Sequence, residues 1–137
     1  MQITAATPQT RTVIEVPAGR IYVDAGVLTP ENGDALRERR HAAYNGVLAV
    51  SVVLDGRGKV AAGPQVRALG LPADDDYPMD EVLEDLAKEA RQALARLQGE
   101  EREFDDEVET VMSRAVKKAS QRIWGKRPVV ETTVLRV

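Results

Sequence analysis

A chain of 137 residues with 19 Lys plus Arg, 22 Asp plus Glu and a net charge of −3 suits one domain, large enough to bury roughly two thirds of its unfolded surface without staples. Its lack of cysteine excludes thiol catalysis, disulfides and cysteine-ligated zinc, and fits a reducing, cytoplasmic setting. No apolar run approaches the roughly 20 residues that cross a bilayer, and residues 1–8 lack the charged start and apolar core of a signal peptide, so a soluble protein with no membrane partner is expected.

Residues 1–33 read as an extended arm, interrupted by Pro8, Pro17, Gly19, Gly26, Pro30 and Gly33. Within it, Val13-Ile14-Glu15-Val16 and Arg20-Ile21-Tyr22-Val23-Asp24 are β-rich, and Pro17-Ala18-Gly19 between them suits a tight turn. An isolated hairpin is marginal in water. The arm therefore points to further chain upstream, with residues 34–137 forming a domain of their own. Asp34 suits the cap of a short connector helix over residues 35–44, which carries Arg37, Glu38, Arg39, Arg40 and His41 and closes at Asn45-Gly46.

The run Val47-Leu48-Ala49-Val50-Ser51-Val52-Val53-Leu54 has only Ser51 as a polar member and predicts a central strand, apolar on both faces. Asp55-Gly56-Arg57-Gly58 turns the chain into a second, less regular strand over residues 59–71, broken near Gly63-Pro64; Pro72 and Asp74-Asp75-Asp76 then make a loop. Pro78 opens a helix whose first turn holds Asp80 and Glu81, where the positive helix end favours acids. Leu83, Leu86, Ala90, Leu94 and Leu97 give it an apolar stripe through Gly99, and Val108, Met112, Ala115, Ala119 and Ile123 give the next helix another. That helix closes at Gly125, Pro128 cannot continue it, and residues 129–137 read as a last strand.

Two amphipathic helices and about three strands predict an α+β fold: a small sheet with both helices on one face, a two-layer sandwich preceded by the arm and connector. Val47, Ala49 and Val53 then point away from the helix-covered face, and a cover is needed for them. The arm, another domain of the same polypeptide, or a second copy would each serve, which makes these three the interface candidates.

Chemistry is sparse. His41 is the sole histidine, whereas catalytic zinc usually takes three protein ligands, so a centre here would need carboxylates for the rest. Gly56-Arg57-Gly58-Lys59 lacks the spacing and the Ser or Thr of a phosphate loop, and the three aspartates lack the alternating ligands, Gly and distal Glu of a calcium loop. Ser51, Ser113 and Ser120 have no partner base. No catalytic residue, cofactor or metal is assigned to this chain. The charge distribution is the one unusual signal. Residues 100–109 hold seven acids and only Arg102 as a base, while residues 110–128 hold six bases, Arg114, Lys117, Lys118, Arg122, Lys126 and Arg127, and no acid. Such a gradient complements the helix dipole; it also makes these six the candidates for contact with RNA phosphates. Trp124, the lone aromatic there, suits the anchor of a helix end better than a stacking platform.

Four segments carry a likeness, in this order: Pro17-Ala18-Gly19-Arg20-Ile21-Tyr22-Val23-Asp24, Leu36-Arg37-Glu38-Arg39-Arg40-His41, Gly46-Val47-Leu48-Ala49-Val50-Ser51-Val52-Val53-Leu54-Asp55 and Trp124-Gly125-Lys126-Arg127-Pro128. Together they resemble the carboxyl-terminal part of bacterial ribonuclease J, particularly its alpha-proteobacterial members. Residues 1 to about 12 match less clearly. The resemblance implies a multidomain ribonuclease whose zinc-dependent metallo-β-lactamase core, with an inserted β-CASP domain, hydrolyses RNA, notably from 5′ to 3′, with a zinc-activated water attacking phosphorus. The zinc ligands and the 5′-phosphate pocket belong to that core and match no position here. For this chain it implies a noncatalytic domain that supports oligomer assembly and activity, with the catalytic core and further copies as partners; the charge of the basic helix, residues 110–128, adds RNA as an alternative partner.

Overall fold

In the computed structural model, which describes residues 19–137, the chain divides into two compact units after Leu36. The described part of the first is a hairpin, β1 (Ile21–Asp24) against β2 (Val27–Pro30), antiparallel with Tyr22 opposite Thr29. Ala25 and Gly26 link them at φ 51 and 79, and two left-handed residues in a two-residue loop match the twist of a hairpin. This adds a strand, β2, that the sequence reading did not assign; the expected turn of residues 20–24 back across Pro17-Ala18-Gly19 involves residues outside those described. Val13-Ile14-Glu15-Val16 lies outside the described residues. Ile21, Val23, Val27 and Leu28 all remain largely exposed.

Helix α1 (Asp34–Asn45) contains the connector and buries none of its residues. Its end is sharp. The Gly46 N–H bonds to the Ala42 carbonyl at 2.8 Å, and Gly46 takes φ 80, so the chain enters β3 (Val47–Leu54) at once.

In the second unit β3 lies at the centre of a three-stranded sheet, with β4 (Val60–Leu69) antiparallel on one side and β5 (Val129–Arg136) parallel on the other. The antiparallel neighbour follows from a short turn in which Asp55 Oδ1 accepts the N–H groups of Arg57 and Lys59 at 2.8 and 2.9 Å. The parallel neighbour needs a long crossover, supplied by α2 (Met79–Ala95), a short 3-10 turn (Glu101–Glu103) and α3 (Asp105–Trp124). Near the middle of β4 the register slips, Ser51 facing Gln65 and Val53 facing Ala62, which is the irregularity expected near Gly63-Pro64.

Strand alternation sends Leu48, Val50, Val52 and Leu54 into the core, each no more than 1% exposed. Helix α2 meets them with Val82, Leu86, Ala90 and Leu94, and α3 with Val108, Met112, Val116 and Ala119. The stripes sit slightly off the expected ones. Val82 and Val116 are fully buried, while Leu83 and Ala115 are only partly so, because each helix turns a wide face to both the sheet and the other helix. Leu97 lies past the end of α2 and packs on the rim of the core. Ser120 is buried too, its hydroxyl satisfied by donating to the Val116 carbonyl at 2.7 Å. The result is the expected two-layer α+β sandwich.

Candidate nucleic-acid interface

Lys126 and Arg127 lie where α3 ends and β5 begins, and the sequence explains the geometry there. Gly125 at φ 65 closes α3 in the left-handed conformation, and buried Pro128 keeps the following backbone extended into β5. Trp124 is held by its indole N–H, which donates to the Pro72 carbonyl at 2.9 Å, so the ring anchors the loop between β4 and α2. The carbonyl of Gly46 receives the Val129 N–H at 2.9 Å. Lys126 Nζ donates to the Tyr44 carbonyl at 3.0 Å, a cation on the negative end of α1. His41 completes the brace. Its Nε2 is 2.8 Å from the Arg127 carbonyl, which can only accept, so that nitrogen carries the proton.

A groove of about 780 Å³ runs between α1 and α3 above this brace, bordered by Arg37, His41, Lys117, Lys118 and Arg127, with Glu38 as the single acid among the described residues. Its floor is apolar, made by Pro128, Val129 and Val130. The six cations proposed from sequence therefore separate. Lys117, Lys118 and Arg127 meet in the groove. Arg114 lines an adjoining recess that shares Lys117 and also holds Glu109 and Thr132. Arg122 pairs with Glu89 at 3.2 Å on the α2 side, and Lys126 is spent on α1. Arg37 and His41 had been assigned only to a charged connector. Their spacing of four places them on one side of α1, but nothing in the sequence says that this side meets α3.

Among the described residues the groups with shifted acidity lie outside the groove: backbone N–H donation from Lys59 and then Arg57 holds the Asp55 carboxyl below its usual range, and the hydrogen bond to Asp85 pushes the Tyr77 phenol up to about 12. Asp74 is a turn former, its Oδ1 accepting the N–H groups of Asp76 and Tyr77 at 3.1 and 2.8 Å. Among the described residues no group of three or more His, Cys, Asp or Glu could hold a metal ion, and no helix is long and apolar enough to cross a membrane.

The interface candidates lie on the other side of the sheet. Val47, Ala49 and Val53 face away from the helices, and the register sets Arg67 and Glu131 on either side of Ala49. Leu69 beside Val47 and Leu135 beside Val53 are 74% and 55% exposed, so both ends of this face are apolar and open.

Among the described residues, fold and groove together define a small α+β domain with a partly exposed sheet face and a cationic cleft. The chain belongs to the ribonuclease J C-terminal domain family, whose model matches residues 34–137. Ribonuclease J of Sinorhizobium meliloti is 32% identical over 125 residues, 90% of this chain and 22% of that protein. Ribonuclease J of Corynebacterium glutamicum is 25% identical over 122 residues, 88% of this chain and 16% of that protein. The chain thus spans about a fifth of the length of these relatives.

Proposed function

We propose that this chain is the noncatalytic C-terminal domain of a cytoplasmic, zinc-dependent ribonuclease J, and that it assembles the parent enzyme by pairing with a second copy through the partly exposed sheet face. In this reading the zinc and the hydrolysis belong to a catalytic core of the parent, and this domain serves its assembly.

The observation that carries the assembly reading is the self-complementary pattern on that face. Arg67 on β4 and Glu131 on β5 lie at the level of Ala49, on opposite sides of the central strand. A two-fold axis parallel to β3 brings β4 of one copy over β5 of another, setting each Arg67 against a Glu131. The same operation lays Leu69 over Val129 and Leu135 over Ala62, apolar on apolar at both ends. Sheets stacked this way keep their strands within about 30° of each other.

Sedimentation across a concentration series tests the pairing. A dimer is expected for the chain, a monomer for Arg67→Glu, and a dimer again for the swapped Arg67→Glu/Glu131→Arg variant. A chain that stays monomeric at its solubility limit would reject self-pairing and leave the face to the catalytic core of the same polypeptide.

A further inference from the structure

We infer that the groove between α1 and α3 is a binding cleft for the phosphate backbone of single-stranded RNA; the choice of RNA rests on the reading of the parent as a ribonuclease. Among the described residues Arg37, Lys117, Lys118 and Arg127 border the cleft with His41, against the acid Glu38. Among the described residues Lys117 and Lys118 make no side-chain hydrogen bond or ion pair, unlike Arg122, Lys126 and Arg136, whose charges are committed to protein partners. Both lysines are exposed. They stand on the face of α3 away from the buried Met112 and Val116.

The walls are fixed in advance. His41 to Arg127, Lys126 to Tyr44 and Val129 to Gly46 tie α1 to the start of β5 at three points, so a ligand need not order this backbone on arrival. The cations also form a line, from Arg114 through Lys117 and Lys118 to Arg127, because Lys117 borders both the recess and the groove. Such a line suits an evenly charged polymer better than an acidic peptide, whose charges alternate with neutral side chains. Between the cations the apolar floor of Pro128, Val129 and Val130 can receive sugar or base faces. No Phe, Tyr or Trp borders the groove, so stacking is limited to the His41 ring and the arginine planes, and binding is sequence-tolerant.

Fluorescence anisotropy of the whole chain with a labelled oligouridylate of roughly a dozen nucleotides, titrated over a range of salt, tests the cleft. With about 0.7 counterions released per phosphate held on a single strand, the four cations Arg114, Lys117, Lys118 and Arg127 give a slope of log affinity on log salt near about −2.8. Lys117→Ala/Lys118→Ala should halve that slope to about −1.4 and weaken low-salt binding roughly tenfold or more. Alanine is at least as good a helix former as lysine, so α3 persists in this variant. Lys117→Arg/Lys118→Arg should keep both slope and affinity, and Arg91→Ala, on the exposed side of α2, should change neither. Unchanged binding in the double alanine variant, equal loss in Arg91→Ala, or displacement of the RNA by an equal concentration of oligoglutamate would each overturn the inference. Repeating the titration with Arg67→Glu separates the two readings: binding that persists there supports a cleft independent of assembly, and binding that vanishes there overturns the placement of the site between α1 and α3.

Discussion

Val52 and Val53 are neighbours of identical chemistry on opposite faces of β3, and cutting each to alanine measures what covers each face. Val52 is 1% exposed, packed between the sheet and both helices. Removing its two methyl groups loses about 1.6 kcal/mol of transfer energy at about 0.8 per carbon, and the cavity left behind adds about 1 kcal/mol, giving about 2.5 kcal/mol. Val53 is only half-buried, against Ala62 and Leu135 on the open side. The same truncation there should cost about 1 kcal/mol or less, since much of the side chain already touches water. Urea unfolding followed by far-UV circular dichroism reads both, and with a slope of about 2 kcal/mol/M the midpoints should fall by roughly 1.2 M and 0.5 M. Raising the chain concentration should close the gap as second copies cover the outer face. Equal losses at the lowest concentration would refute the two-layer account, because Val53 would then be as dry as Val52 in the lone chain.

Gly46→Ala should cost about 2–4 kcal/mol by chemical unfolding, because a Cβ there would sit 2.7 Å from Leu71 Cγ and 2.9 Å from the Gly70 carbonyl at φ 80, whereas Gly99→Ala, with open space around it, should be nearly neutral. Trp124→Phe removes the donor to the Pro72 carbonyl and should lower the thermal midpoint by about 4 °C, corresponding to about 1 kcal/mol. Tyr77 bears on alkaline stability. Its folded acidity, about 12, lies above the ordinary value of 10.0, so its contribution is fully present below pH 10 and is lost as pH rises toward 12. Tyr77→Phe should flatten that alkaline decline, by less than about 1 kcal/mol because the bond to Asp85 is open to solvent.

Much of the fold was legible because its period is local. Eight apolar-rich residues in a row announced β3, the three- and four-residue steps announced α2 and α3, and Gly125 with Pro128 marked the turn into β5. Strand β2 went unassigned for a local reason: Asp24-Ala25-Gly26-Val27 forms a left-handed loop with alanine where asparagine or a second glycine is usual, so the turn signal there is weak. The site was legible only as a list of cations. That Arg122 would meet Glu89, that Lys126 would cap α1, and that Arg37 and His41 would face Lys117 are facts of tertiary placement, between residues tens of positions apart. Arg67 and Glu131 went unnoticed for the same reason, since only strand register puts them astride Ala49.

The pairing of β3 with β5 carries a consequence for the birth of this domain. Val47 meets Val129, 82 positions further along the chain, so this apolar strand waits through two helices for its second neighbour. During synthesis, or after a protease removes the tail, that strand shows an unsatisfied edge on which other chains can template, so loss of β5 should yield insoluble aggregates rather than a smaller stable fold.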